Sequence, residues 1–105
     1  PPFCAVCLVT FSGQEEAQTA AAASSFGQEL RLLAANSKTI PLRVLGPAPA
    51  ALAMLNGRYR YKLTIKCRND TAFRALMAQV LRQYHEGSYG GKVSAAVDFN
   101  SDCEA

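Results

Sequence analysis

At 105 residues the chain has room for a single domain with one core. Half of it is hydrophobic, yet no apolar run approaches the ~18 to 20 residues of a membrane-spanning helix, so a soluble globular domain is expected. A net charge of +3 is mild for a nucleic-acid binder, but five cations fall between Arg58 and Arg68 while Gln14 to Leu30 carries three acids and no base, and such unevenness is what a binding face needs.

The opening Pro1-Pro2-Phe3 has no initiator Met and none of the basic or apolar regions of a secretion signal, so secretion has no support here and a fragment is expected. Phe3 to Phe11 is rich in apolar and β-branched residues and reads as a first strand. Ser12 and Glu15 stand at capping-box spacing and predict the start of a helix. Through Ala35 that helix carries Thr19, Ala22, Ala23, Phe26, Leu30 and Leu33 at three- and four-residue steps, opposite Glu16, Gln28 and Arg31. Ile40 to Leu45 alternates as a second strand, which Gly46-Pro47-Ala48-Pro49 is expected to stop because proline cannot donate to a ladder. A short, helical Ala50 to Leu55 and an Asn56-Gly57 turn then lead into a third strand, "GRYRYKLTIK". Asn69 or Asp70 caps a second helix with the stripe Phe73, Leu76, Met77, Val80, Leu81 and Tyr84, ending at Gly87. Gly90-Gly91 precedes a last strand, Lys92 to Phe99.

The order β-α-β-β-α-β predicts an α+β, ferredoxin-like domain: a four-stranded antiparallel sheet with two helices on one face and the other face free. Strand alternation sends Phe3, Ala5, Cys7, Val9 and Phe11 toward the helices, with Ile40, Leu42 and Val44, then Tyr59, Tyr61, Leu63, Ile65 and Cys67, then Val93, Ala95, Val97 and Phe99. The free face collects Arg43, Arg58, Arg60, Lys62, Thr64, Lys66, Lys92 and Ser94.

Charged stripes are usually solvated surface or edge protection. In this topology the third strand is central, so Arg58, Arg60, Lys62 and Lys66 lie mid-sheet, ~7 Å apart along one side, and their mutual repulsion needs a compensating role. Phosphate contact supplies one, with an affinity that falls as salt rises. Base stacking fits less well because the tyrosines occupy the helix side. Cys4 and Cys7 form a C-x-x-C, but a spacing of three points the sulfurs to opposite faces of a strand, while Cys4, Cys67 and Cys103 meet loosely at one sheet edge; small buried thiols fit better than a metal site. His85, in the last turn of the second helix, suits the helix dipole better than catalysis, and Asp98 and Asp102 read as strand-end residues. No phosphate-binding glycine loop or nucleophile elbow is present, so no catalytic residue and no metal ligand is assigned.

Three stretches together resemble the C-terminal domain of primosomal protein N′, the PriA family of replication-restart helicases: "PPF" at the start, "VLGPAPAALAMLNGRYRYKLTIK" from Val44 to Lys66, and "VDFNS" from Val97 to Ser101. The resemblance spans essentially the whole chain as one domain, 1–105, and departs from the pattern at Ser101, where a proline is common. It implies a parent ATP-dependent 3′ to 5′ DNA helicase of the bacterial cytoplasm and nucleoid that acts in replication restart and primosome assembly. The parent's ATP, Mg and Zn sites lie in helicase lobes and a zinc region upstream, so this fragment needs no cofactor. The implied role is a non-catalytic DNA-binding and docking module whose partners are forked or single-stranded DNA, the helicase lobes, and the tail of single-stranded DNA-binding protein, with no membrane. Arg43, Arg58, Arg60, Lys62, Lys66 and Lys92 are the expected DNA contacts. Pro47, Pro49, Leu52, Met54 and Leu55, with Ala51, are expected either to dock the helicase lobes or to fold back as a helical turn on the domain's own core, and Arg74, with Arg82 behind it, stands nearest the family's basic residues on the second helix. The rival reading is a protein-interaction module whose basic face binds an acidic tail or the helicase core without touching DNA.

Overall fold

The computed structural model describes residues 5–36, 40–68 and 70–101. Along the chain run β1 (Ala5–Gly13), α1 (Glu16–Asn36), β2 (Leu42–Leu55), β3 (Arg58–Cys67), α2 (Thr71–Glu86) and β4 (Ser94–Ser101). All neighbours in the sheet order β2-β3-β1-β4 are antiparallel, which is the expected ferredoxin-like arrangement with β3 in the interior.

Alternation along the strands decides the core. Ala5, Cys7, Val9, Phe11 and Gly13 of β1 are buried, and the residues between them are half-exposed. Leu63, Ile65 and Cys67 of β3 are fully buried beside them, and Thr19, Ala22, Ala23, Phe26, Gly27 and Leu30 of α1 with Phe73, Leu76, Met77, Val80 and Tyr84 of α2 close the layer. Phe11 stands edge-on to Phe26 and to Tyr84, with ring centroids 5.4 and 5.7 Å apart, so one aromatic triangle joins β1 to both helices. The small residues of α1 bring its axis close to the sheet: a Cβ on Gly27 would already be in van der Waals contact with Val44 and Leu63. Of the two cap candidates it is Asp70 that caps α2, accepting from the Phe73 N–H at 2.9 Å.

Three local expectations are corrected. The capping box does not form. Ser12 stays in β1, opposite Arg60 and Ser94, and α1 starts at Glu16, where the Glu15 carbonyl accepts from both the N–H and the hydroxyl of Thr19. Ser12 is instead held from across the sheet, because its Oγ accepts from Arg58.

Nor does the proline cluster end the second strand. β2 continues to Leu55, and the Ala50 to Leu55 stretch is strand rather than helix. As an edge strand β2 has one side without a ladder, which is where proline is tolerated. Its register with β3 absorbs the irregularity: Leu45 faces Thr64 but Ala48 faces Lys62, and Pro49 faces Tyr61 but Met54 faces Tyr59. Gly46 occupies the first of these shifts at φ +101°, where a Cβ would come within 3.0 Å of the Lys62 carbonyl. Asn56 and Gly57, both at positive φ, close the hairpin in two residues. Finally, Lys92 lies outside β4, in the turn where its N–H donates to the Tyr89 carbonyl.

Candidate nucleic-acid interface

The helices leave one face of the sheet uncovered, and the strand registers lay it out in lanes about 4.8 Å apart. On the central β3 lane stand Arg60, Lys62, Thr64 and Lys66. Lys62 and Lys66 are exposed, and Arg60 is half-buried. Arg43 stands beside Lys66 on β2 and extends the row sideways by one lane. Beyond β3, the β1 lane carries Val6, Leu8, Thr10 and Ser12 opposite Lys66, Thr64, Lys62 and Arg60, and the β4 lane carries Ser94, Ala96 and Asp98.

So the free face is less uniformly basic than strand period suggested. Leu45, 41% exposed, lies beside Thr64, and Leu8 lies on its other side, so an apolar row crosses the sheet between Lys66 and Lys62. The alternation in "AVCLVTFS" sends Val6, Leu8 and Thr10 to this face, because Cys7 and Val9 belong to the core, but only the pairing sets Leu8 and Leu45 on either side of Thr64.

Arg58 is tied to the end of β1. Its Nε donates to the Ser12 Oγ at 3.0 Å and its Nη2 to the Ser12 carbonyl at 2.8 Å, so the guanidinium fork spans from the start of β3 to the end of β1. Arg58 and Lys92 both line a cleft of about 460 Å³ at this end of the sheet, with Gln14, Glu15, Gln18, Gly90, Gly91 and Ser94 as its other walls. Lys92 thus lines this cleft from a turn and not from within a lane of the sheet.

The tyrosines of β3 face the helices, as expected. Tyr61 packs on the core margin and its hydroxyl donates to Glu16 Oε2 at 2.9 Å, a bond that raises the phenol's pKa. Cys7 and Cys67 are buried on the helix side of adjacent strands, and burial, then Cys67 and Asp98, push the Cys7 thiol from 9.0 up to about 12. Burial thus keeps the Cys7 thiol protonated, which makes it a poor nucleophile. Cys4, Cys103, Phe3, Asn69 and Asp102 lie outside the described residues, and among the described residues no three His, Cys, Asp or Glu side chains are grouped to hold a metal ion. His85 is exposed in the last turn of α2, edge-on to Tyr84.

Among the described residues, the expected docking side chains lie apart from the basic row. Pro49 is opposite Tyr61 on the helix side of β2, Pro47 is half-buried at the register shift, and Met54 is 49% exposed near the hairpin end. The side chains of Ala51, Leu52 and Leu55 lie outside what the structure describes. Arg74 and Arg82 are exposed on α2, on the opposite side of the sheet from the cations of β3. Among the described residues no helix is long and apolar enough to cross a membrane.

The same architecture occurs in proteins of remote sequence. A de novo designed protein, Foldit4, superimposes with a TM-score of 0.59 at 14% identity, over 92% of this chain and 96% of that one. A hydantoinase/carbamoylase family amidase from Burkholderia ambifaria matches with a TM-score of 0.59 at 9% identity, over 90% of this chain and 27% of its own. Both likenesses speak to fold alone. In sequence, the chain is 31% identical over 100 residues to the replication restart protein PriA of Bacillus subtilis (strain 168), covering 95% of this chain and 12% of that protein. It is 29% identical over 98 residues to a probable replication restart protein PriA of Deinococcus radiodurans, covering 93% and 10%. The chain thus spans about a tenth of the length of these curated relatives. The model of the primosomal protein N C-terminal domain matches residues 1–100, and the chain belongs to that family.

Proposed function

We propose that this domain is the non-catalytic DNA-binding and docking module of a PriA-type, ATP-dependent DNA helicase that acts in replication restart and primosome assembly in the bacterial cytoplasm. The observation that carries the reading is the row Arg60, Lys62 and Lys66 on the interior strand of an uncovered sheet face, extended by Arg43. Like charges along one lane raise the local positive potential, and a phosphate backbone is the extended anion that such a row fits. Arg58 and Lys92 add to the field from the cleft at the end of the sheet. ATP, Mg and Zn belong to the parent protein's other domains.

Fluorescence anisotropy on forked and single-stranded oligonucleotides at two salt concentrations tests this reading. Binding should weaken as salt rises and should fall further in the Arg60→Ala, Lys62→Ala double variant. No binding, or binding that the double variant leaves unchanged, refutes it.

A second reading rests on the apolar row of Leu8 and Leu45 between the cations, because a basic surface with an apolar centre also fits an acidic protein segment with apolar side chains. The tail of single-stranded DNA-binding protein and the helicase core are its candidate partners, with Met54 and the proline-rich edge of β2 as a separate docking surface. An acidic peptide that binds the domain and is not displaced by DNA would favour this reading.

A further inference from the structure

We propose that the free face takes one nucleic-acid strand and not a duplex, with its phosphates along β3 and its bases over β1. The inference deepens the DNA-binding reading and rests on it.

The arrangement of charge across the sheet carries the argument. A duplex presents two phosphate backbones, separated by grooves about 6 and 12 Å wide. With strands about 4.8 Å apart, a second backbone parallel to the β3 row would lie near β4, about 10 Å away. There it would meet Ser94, Ala96 and Asp98, which offer no cation and one carboxylate. On the other side Arg43 lies one lane from Lys66, which widens the row at one end without forming a second one.

Between the cations and that uncharged margin lies the β1 lane, where Val6, Leu8 and Thr10 are half-exposed and uncharged. Such a lane suits the apolar faces of unpaired bases, which in a duplex are stacked inside and inaccessible. The tyrosines of β3 face away, so the contact is aliphatic packing, tolerant of sequence, in place of ring stacking. One row of cations beside one apolar lane therefore matches one strand.

The test compares an oligothymidine of about fifteen nucleotides with a blunt duplex of about fifteen base pairs, by anisotropy across a salt series. The single strand should bind at least about tenfold tighter, with a slope of log K against log salt near −3, from four cations at about −0.7 each. Leu8→Glu and, separately, Thr10→Glu place a carboxylate in the β1 lane. Each should weaken single-strand binding by about tenfold while leaving the melting temperature of at least one of the two variants near that of the parent. A duplex bound as tightly as the single strand overturns the inference and leaves the DNA-binding reading intact, and so does single-strand binding unaffected by a folded lane variant. Failure to bind either ligand overturns both.

Discussion

Arg58 offers a direct choice between a structural and a ligand-binding role. Its guanidinium gives two hydrogen bonds to Ser12, one to the hydroxyl and one to the carbonyl, at 3.0 and 2.8 Å, and the side chain is half-buried. Bonds to a charged partner contribute about 1.5–3 kcal/mol each, and the partial exposure here argues for about 2 kcal/mol for the pair. In a domain of about 100 residues, 1 kcal/mol moves the melting temperature by about 4–8 °C, so Arg58→Ala should lower it by roughly 8–16 °C. Arg58→Lys should recover less than half of that, since an ammonium lacks the planar fork that serves both acceptors. Ser12→Ala removes the hydroxyl and leaves the carbonyl, and should cost about 1 kcal/mol. The assays are thermal melting followed by circular dichroism and the salt slope of DNA binding measured on the same preparations. With its fork committed to Ser12, Arg58 should contribute less to that slope than the ~0.7 of a single-strand phosphate contact. An Arg58→Ala protein that melts like the parent but loses ~0.7 from the slope refutes the reasoning and makes Arg58 a phosphate ligand.

Three further outcomes follow from the packing. A Cβ on Gly13 would lie 2.5 Å from Thr19 Oγ1 and 3.1 Å from Val93, so Gly13→Ala should cost about 1–3 kcal/mol in denaturant melts, and adding Thr19→Ala should restore part of it where additivity would deepen the loss. The buried Cys7 thiol and Tyr84 phenol are raised from 9.0 and 10.0 to about 12 each, chiefly by burial. Between their ordinary and raised values the unfolded chain releases protons that the folded one keeps, so stability should hold below pH 9 and decline from there toward pH 12, and a Cys7→Ala, Tyr84→Phe protein should show a flatter decline in the same pH series. Tyr61→Phe should change stability by no more than about 0.5 kcal/mol in the same melts, because its hydroxyl bond to Glu16 is exposed.

Which parts of this molecule could be read from the chain depends on how local their causes are. The α2 cap at Asp70, the two-residue turn at Asn56-Gly57 and the division of β3 into an apolar and a basic side each follow from neighbours within a few residues. The Ser12 and Glu15 spacing misled because a partner 46 positions away, Arg58, holds the serine in the strand. Gly46 to Pro49 misled for a related reason. Proline ends a strand that must pair on both sides, and β2 pairs on only one, which depends on the order of the strands and not on the residues of β2. The basic residues of the candidate site were legible as a row, but their neighbours were not. Lys92 belonged to a turn, and the apolar row through Leu8 and Leu45 emerged only with the registers.

Periodicity in the residue order was enough to specify the α+β class, the chain order of the elements, the core side of each strand and the cations of β3, because burial repeats every two residues in a strand and every three to four in a helix. Lateral relations needed the folded sheet. Pairing set Arg43 beside Lys66, Leu8 beside Thr64, and Asp98 on the far lane, and it turned Arg58 from one more cation into the tie between β1 and β3. Those placements join residues up to about ninety positions apart, and no local repeat encodes which strand lies next to which.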